Sequence, residues 1–192
     1  AFGNISDGVL LNTLVKTSHG QGSFDAPRFE LMVWEIPRVD ECWVLRQSTT
    51  RSSQHFAGCY KVFRWEDGKG QLADLMQTKE AEGYTSGKWR AGVGLWGSWG
   101  VLVNQMNNLS CSLYLGHSFD ENTCVITPND QSQLPAIWLF CTSESFEDEV
   151  RRINQKVNVN TATLAKVPFN LAHWQKVAAE KYPNGLPKPF SS

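Results

Sequence analysis

Thr123-Cys124-Val125-Ile126, then Pro128-Asn129-Asp130, then Leu134-Pro135-Ala136-Ile137-Trp138-Leu139-Phe140-Cys141 is the stretch that decides the fold. The first four residues make a short apolar run with β-branched members, which predicts a buried strand. Pro-Asn-Asp is turn chemistry. From 134 to 153, Leu134, Ile137, Trp138, Phe140, Cys141, Phe146 and Val150 fall on the apolar face of one long helix. Ser143-Glu144-Ser145 breaks or re-caps that helix, because Ser145 followed by acids has the composition of a second N-terminus.

Working outward, Val101-Leu102-Val103 and residues 111–115 predict two more strands, with a loop over 116–122. Residues 157–168 are rich in Val, Thr and Asn and predict an extended segment. Residues 171–182 predict a terminal helix, followed by a proline-punctuated tail over 183–189. Upstream, strands are expected over 29–36, 42–46 and 55–65, with a polar loop of Ser, Thr, Arg and Gln over 47–54. The run Val9, Leu10, Leu11, Leu14, Val15 suits a short helix or a strand equally. A helix is expected over 71–82, with Gly83 as its stop. Residues 84–100 change to Gly, Trp and Ser, which reads either as a strand pair with glycine bulges or as backbone approaching a ligand. The fold class expected is α+β: a twisted, mostly antiparallel sheet with one long helix and a C-terminal helix packed on it.

Composition narrows the function classes. With 41% apolar and 19% charged residues over 192 positions, the chain is globular and suits one domain or two small ones. Most of its eight tryptophans are expected in the core. A net charge of −1 and a pI near 6.5 argue against a free-standing nucleic-acid binder, though not against a module that shares DNA with a more basic neighbour. The five cysteines include no CxxC pair and the four histidines are scattered, so neither a disulfide framework nor a zinc site is indicated. Reduced thiols in a cytoplasmic protein are the expectation. No apolar run suits a membrane span and no secretion signal opens the chain. A start at Ala1 and an end at Ser191-Ser192 suggest an excised piece.

Catalytic motifs are missing. There is no glycine fingerprint for a dinucleotide or S-adenosylmethionine, no P-loop, no nucleophile elbow, no HExxH, and no Asn/Asp-Pro-Pro-Tyr loop. Glu66-Asp67 reads as a turn before it reads as a carboxylate pair. A binding surface remains. Arg151 and Arg152, followed by Gln155, Lys156, Asn158 and Asn160, are the side-chain types that pair with base edges and phosphates. The plainer reading is a solvated helix end with cations favoured at its C-terminus. Lys88, Arg90, Trp96 and Trp99 form a second candidate surface, where aromatics could stack on bases or wedge into a duplex.

An ordered series of short segments adds to this reading. It runs through Asn104-Gln105-Met106, Leu113-Tyr114-Leu115-Gly116, Phe119-Asp120-Glu121-Asn122-Thr123 and Pro128, then Leu134 to Cys141 as quoted above. It continues through Gln155-Lys156-Val157-Asn158-Val159, Lys166-Val167-Pro168-Phe169-Asn170-Leu171-Ala172-His173-Trp174, and Ala178-Ala179-Glu180-Lys181-Tyr182-Pro183-Asn184-Gly185-Leu186-Pro187. The series resembles the C-terminal target-recognition region of large bacterial adenine-N6 DNA methyltransferases of restriction–modification and BREX- or DISARM-type phage-defence systems. The likeness is dense from about Trp96 onward and weak before it, and no single segment is specific alone.

The family plan is a strand, a helix ending near a serine, and an extended segment running into a proline-containing strand; residues 123–126, 134–143 and 163–168 match it. The resemblance implies double-stranded DNA as partner, together with the catalytic domain of a parent chain that uses S-adenosylmethionine. It divides the chain into an N-terminal part (1–83), a recognition core (84–170) and a C-terminal helix with tail (171–192). The sequence departs from the family in lacking the cofactor and base-gripping motifs and in stopping after Phe190, so no catalytic residue and no cofactor of its own is carried over. Two rivals stand beside it: a free-standing module, as from a mobile gene cassette, that binds a protein, and a Trp-rich carbohydrate binder or small hydrolase, which needs exposed coplanar indoles.

Overall fold

The computed structural model describes residues 8–106 and 108–189; both chain ends discussed above lie outside them. In chain order the elements are β1 (Val9–Leu10), β2 (Val15–His19), α1 (Ala26–Phe29), β3 (Glu30–Met32), β4 (Trp43–Gln47), β5 (Lys61–Arg64), α2 (Gln71–Ala81), β6 (Gly100–Asn104), β7 (Cys111–Tyr114) and β8 (Ser118–Phe119). Then follow β9 (Thr123–Pro128), α3 (Leu134–Cys141), α4 (Glu144–Ile153), α5 (Thr161–Ala165), β10 (Pro168–Phe169) and α6 (Leu171–Lys181). The fold is α+β, with mostly antiparallel strands.

The strands form not one sheet but two of four strands, ordered β2-β9-β6-β7 and β3-β5-β4-β8, plus a β1-β10 ribbon. The split follows from three separate apolar clusters. Strand alternation in the first sheet sends Val101, Val103, Cys124 and Ile126 toward the helices, and Leu102 and Val125 toward a second cluster with Tyr114, Phe119 and Leu95. The smaller sheet buries Phe63 against Phe29, Leu72, Met76 and Trp89, with α2 as its cover. Because β2 pairs with β9 and β4 pairs in parallel with β8, residues from the first fifty positions are built into sheets with residues beyond 110.

Helix α3 is buried along almost its whole length, with Leu134, Ala136 and every residue from Ile137 to Cys141 at 5% exposure or less. A helix apolar all round belongs inside, and this one packs against both β6 and α6. Phe140 is its centre, 5.4 Å from Phe146, 5.0 Å from Phe169 and 5.6 Å from Trp174 between ring centroids. The expected single helix over 134–153 is therefore two. The break falls where the sequence suggests, but the cap is Ser143, whose hydroxyl accepts from the Phe146 N–H, rather than Ser145. The split lets α3 stay inside while α4, with only Phe146 and Val150 buried, lies on the surface.

Other expected spans shrink or change. Within the segment expected to be extended over 157–168, including the family-plan span 163–168, Asn160 nucleates α5 by accepting from the Thr163 N–H at 2.8 Å. The glycine-rich stretch forms no strand before β6. It makes two turns of 3₁₀ helix, Gly87–Arg90 and Val93–Leu95, the second entered through Gly92 at φ +73°, where a Cβ would also strike the Phe119 ring. The strands expected over 29–36 and 55–65 contract to Glu30–Met32 and Lys61–Arg64, the chain around residue 55 lying along β7 instead.

A polar joint couples the two sheets. Arg46, 1% exposed, reaches Glu30 at 3.2 Å, donates to the Gln21 carbonyl at 2.6 Å and covers the Phe63 ring at 4.5 Å. Beside it, Gln47 donates to Ser112 Oγ at 3.1 Å and to the Leu113 carbonyl at 2.8 Å. A second joint clasps the end of α6, where Tyr182 Oη accepts from Trp138 Nε1 at 3.1 Å and lies 2.8 Å from His55 Nε2. Burial, helped by Lys181, holds the His55 imidazole below its ordinary pKa and so favours the neutral ring beside the tyrosine.

Two outcomes follow. Phe140→Ala lowers unfolding free energy by about 3–5 kcal/mol with an unchanged denaturant slope in urea titration; a loss below about 1 kcal/mol would contradict this packing. Since the folded His55 binds its proton less readily than the unfolded chain, its contribution is full above about pH 6.5 and is lost as pH falls below that value. Tm measured from pH 7.5 downward therefore drops less steeply in His55→Gln than in the wild type.

Candidate functional site

Residues 151–160 leave the C-terminus of α4 and enter α5. Arg151 and Arg152 sit in the last turn of α4, where positive charge meets the exposed carbonyls. Arg151 turns back to donate to the Lys156 carbonyl at 2.6 Å, and its Nε lies 3.9 Å from Glu147. Asn154 Oδ1 accepts from the Lys156 N–H at 2.9 Å. Farther on, Val159 is fully buried, its N–H donating to the Gln105 carbonyl at 2.9 Å while Gln105 Nε2 donates back to its carbonyl at 2.9 Å. Asn158 forms an antiparallel bridge with Met106.

The loop is thus pinned at its start, middle and end through backbone atoms, while the side chains of Arg152, Gln155, Lys156 and Asn158 are exposed. Arg152 pairs with Glu149 at 2.6 Å, but it is 64% exposed, and such surface pairs are worth about 0–1 kcal/mol. Asn160 has a different task. Its Oδ1 caps α5, accepting from both the Thr163 N–H and the Thr163 hydroxyl. Ile153 and Val157 flank the loop and are exposed.

The second group divides. Lys88 and Arg90 are exposed, with the Arg90 guanidinium 4.3 Å over the Trp89 ring. Trp96 is half-buried, edge-on to Trp65 at 5.2 Å and 65°, and Trp65 meets the buried Trp89 at 5.6 Å and 50°. Trp65 and Trp89 wall the core of the smaller sheet, Trp96 packs on the cluster of Leu95, Tyr114 and Phe119, and the rings do not form a coplanar face. Trp99 is 37% exposed and uses its carbonyl to accept from Gln131. The most exposed indole is Trp34 at 72%, which the sequence does not single out because one tryptophan after a short strand carries no pattern.

The structure gathers residues 151–160 but does not join them to the second group. Trp99 precedes β6 and Gln105 follows it, so the two surfaces occupy opposite ends of that strand, about 20 Å apart at roughly 3.3 Å per residue. Near the second of these ends, Ser53 and Asn108 face Thr142, Ser143, Glu144 and Glu147 across a cleft of about 150 Å³.

Among the described residues, no three His, Cys, Asp or Glu side chains are grouped to hold a metal ion, and no helix is long and apolar enough to cross a membrane. Cys111, Cys124 and Cys141 lie in the main core, where burial pushes their thiols up, Cys124 to about 12. Thiols so protonated do not act as nucleophiles near neutral pH. What the 151–160 loop offers chemically is positive charge and amide hydrogen-bonding on a fixed frame. No protein-family model matches the chain, and no curated protein matches it significantly.

Asn160→Ala removes the α5 cap and costs about 0.5–2 kcal/mol in thermal unfolding, whereas Asn160→Asp, which keeps the acceptor, recovers most of it. Equal losses in the two variants would show that the cap is not what Asn160 contributes.

Proposed function

We propose that this chain recognises double-stranded DNA, as the non-catalytic target-recognition region of an adenine-specific DNA methyltransferase. The observation that carries the reading is the 151–160 loop, whose backbone is pinned while Arg152, Gln155, Lys156 and Asn158 remain exposed. A loop ordered before binding loses little further entropy when it docks. Guanidinium and ammonium groups hold phosphates, and Gln and Asn amides match the N6/N7 edge of adenine in the major groove. The weak Arg152–Glu149 pair exchanges readily for a phosphate.

The resemblance along residues 96–187 supports the same reading. Methyl transfer, with S-adenosylmethionine, then belongs to a catalytic domain beyond these residues, in a bacterial, cytoplasmic phage-defence setting. The net charge of −1 fits a module that shares its duplex with such a neighbour. One observation favours a second reading, a protein-binding module: Ile153 and Val157, at 51% and 60% exposure, flank the loop. The tilted, partly buried indoles give a carbohydrate platform no comparable support.

The test is retention of a random duplex pool at low and at physiological salt, with sequencing of the retained fraction. An adenine-containing motif is enriched, and Arg152→Ala/Lys156→Ala lowers the slope of log affinity against log salt by about two, one for each phosphate no longer neutralised. Asn158→Ala relaxes discrimination at one base position by about 1–3 kcal/mol. Unchanged affinity and slope in the double variant would remove this surface from DNA binding. Capture of a protein that Val157→Asp abolishes, with no DNA retained, would establish the second reading instead.

A further inference from the structure

Residues 50–54, a polar loop in the sequence, are strapped along the free edge of β7. The Thr50 carbonyl accepts from Ser110 Oγ at 2.6 Å, and the Arg51 carbonyl accepts from Asn108 Nδ2 at 3.2 Å. Ser53 Oγ accepts from the Cys111 N–H at 3.0 Å, the Gln54 N–H donates to the Cys111 carbonyl at 3.0 Å, and Gln54 bridges Ser112 in parallel. Arg51 enters this network only through its carbonyl; its exposed guanidinium makes no hydrogen bond or ion pair among the described residues.

The strap ends where the 151–160 loop begins its contacts. Strands β6 and β7 are antiparallel, so the turn between them caps one end of the sheet. That turn buttresses both segments: Asn108 holds Arg51, and Met106, two residues earlier, bridges Asn158. Backbone reach along this path keeps Arg51 within about 20 Å of Asn158, less than one turn of B-DNA at about 34 Å. Glu144 and Glu147 line the adjacent cleft and repel phosphate from it.

We infer that Arg51 is a phosphate contact of the same DNA surface, supplied from a part of the chain a hundred residues before Arg151. This inference rests on the DNA reading above. It makes the surface a composite of two segments, one held by Asn108 and the other bridged to Met106, in which Arg51 adds a cation to those of Arg152 and Lys156.

The experiment is the salt dependence of duplex retention for the wild type, Arg51→Ala, Arg51→Lys and Arg152→Ala/Lys156→Ala. Because Asn108 bonds the carbonyl of residue 51, Arg51→Ala keeps that bond, and an unchanged Tm verifies the fold. The expected result is a slope lowered by about one in Arg51→Ala, restored in Arg51→Lys, with the enriched motif unchanged. A wild-type slope in Arg51→Ala beside a lowered slope in the double variant would overturn the role of Arg51 and leave the DNA reading standing. A changed motif with an unchanged slope would also overturn it. Wild-type slopes in all variants, or no retention by the wild type at low salt, would overturn both.

Discussion

The structure depends on one constraint: its central antiparallel sheet is apolar on both faces. Along β6, Val101 and Val103 point to the helices while Leu102, between them, points the other way, and all three are fully buried. An antiparallel sheet commonly leaves one face to water. Here the helical layer of α3, α4 and α6 covers only one. The second face, which also carries Tyr114, is closed by Leu95 and Phe119, and the chain that supplies Phe119 also carries β8 into the smaller sheet. The second sheet is thus attached because the first needs a cover.

Arg46 makes that attachment specific. Burial pulls its pKa down, and the facing carboxylates of Glu30 and Asp120 oppose the shift. A desolvated ion pair of this kind contributes little net stability, yet removing one partner would strand the other charge. Its geometry admits one arrangement, since the guanidinium must meet Glu30, the Gln21 carbonyl and the Phe63 ring at once. The ends of the central sheet are where loops are free to carry recognition. At one end, Trp89 and Trp96 turn inward against two separate clusters. At the other, amides and cations turn outward.

Much of the architecture is legible because it is local. An unbroken apolar octet at 134–141 has nowhere to go but inside, and short continuous apolar runs at 101–103 and 123–126 settle near strands of the expected extent. Serine near residue 143 announces a break, although which serine caps α4 depends on where α3 must stop to stay buried. The helix α5 is less visible, because its Val- and Thr-rich neighbourhood favours extended backbone and only the Asn160 cap speaks against it. Of the candidate residues, Arg152, Gln155, Lys156 and Asn158 are exposed on one segment, Asn160 caps α5, and Trp96 is half-buried against Trp65.

By itself, then, the sequence determined α2, α6 and the apolar run that becomes α3, together with the central strands, the α+β class and the place of Arg151 to Asn160 on one segment, since each rests on periodicity or capping among near neighbours. Tertiary structure alone decided that there are two sheets, that Arg46 is buried, and that the two candidate surfaces stand at opposite ends of β6. It alone placed Arg51 beside Asn108, 57 residues away. The reason is physical. A charged residue in a polar stretch is free to be buried or exposed as far as its neighbours are concerned, and only the distant strand edge that must be covered and hydrogen-bonded settles which it will be.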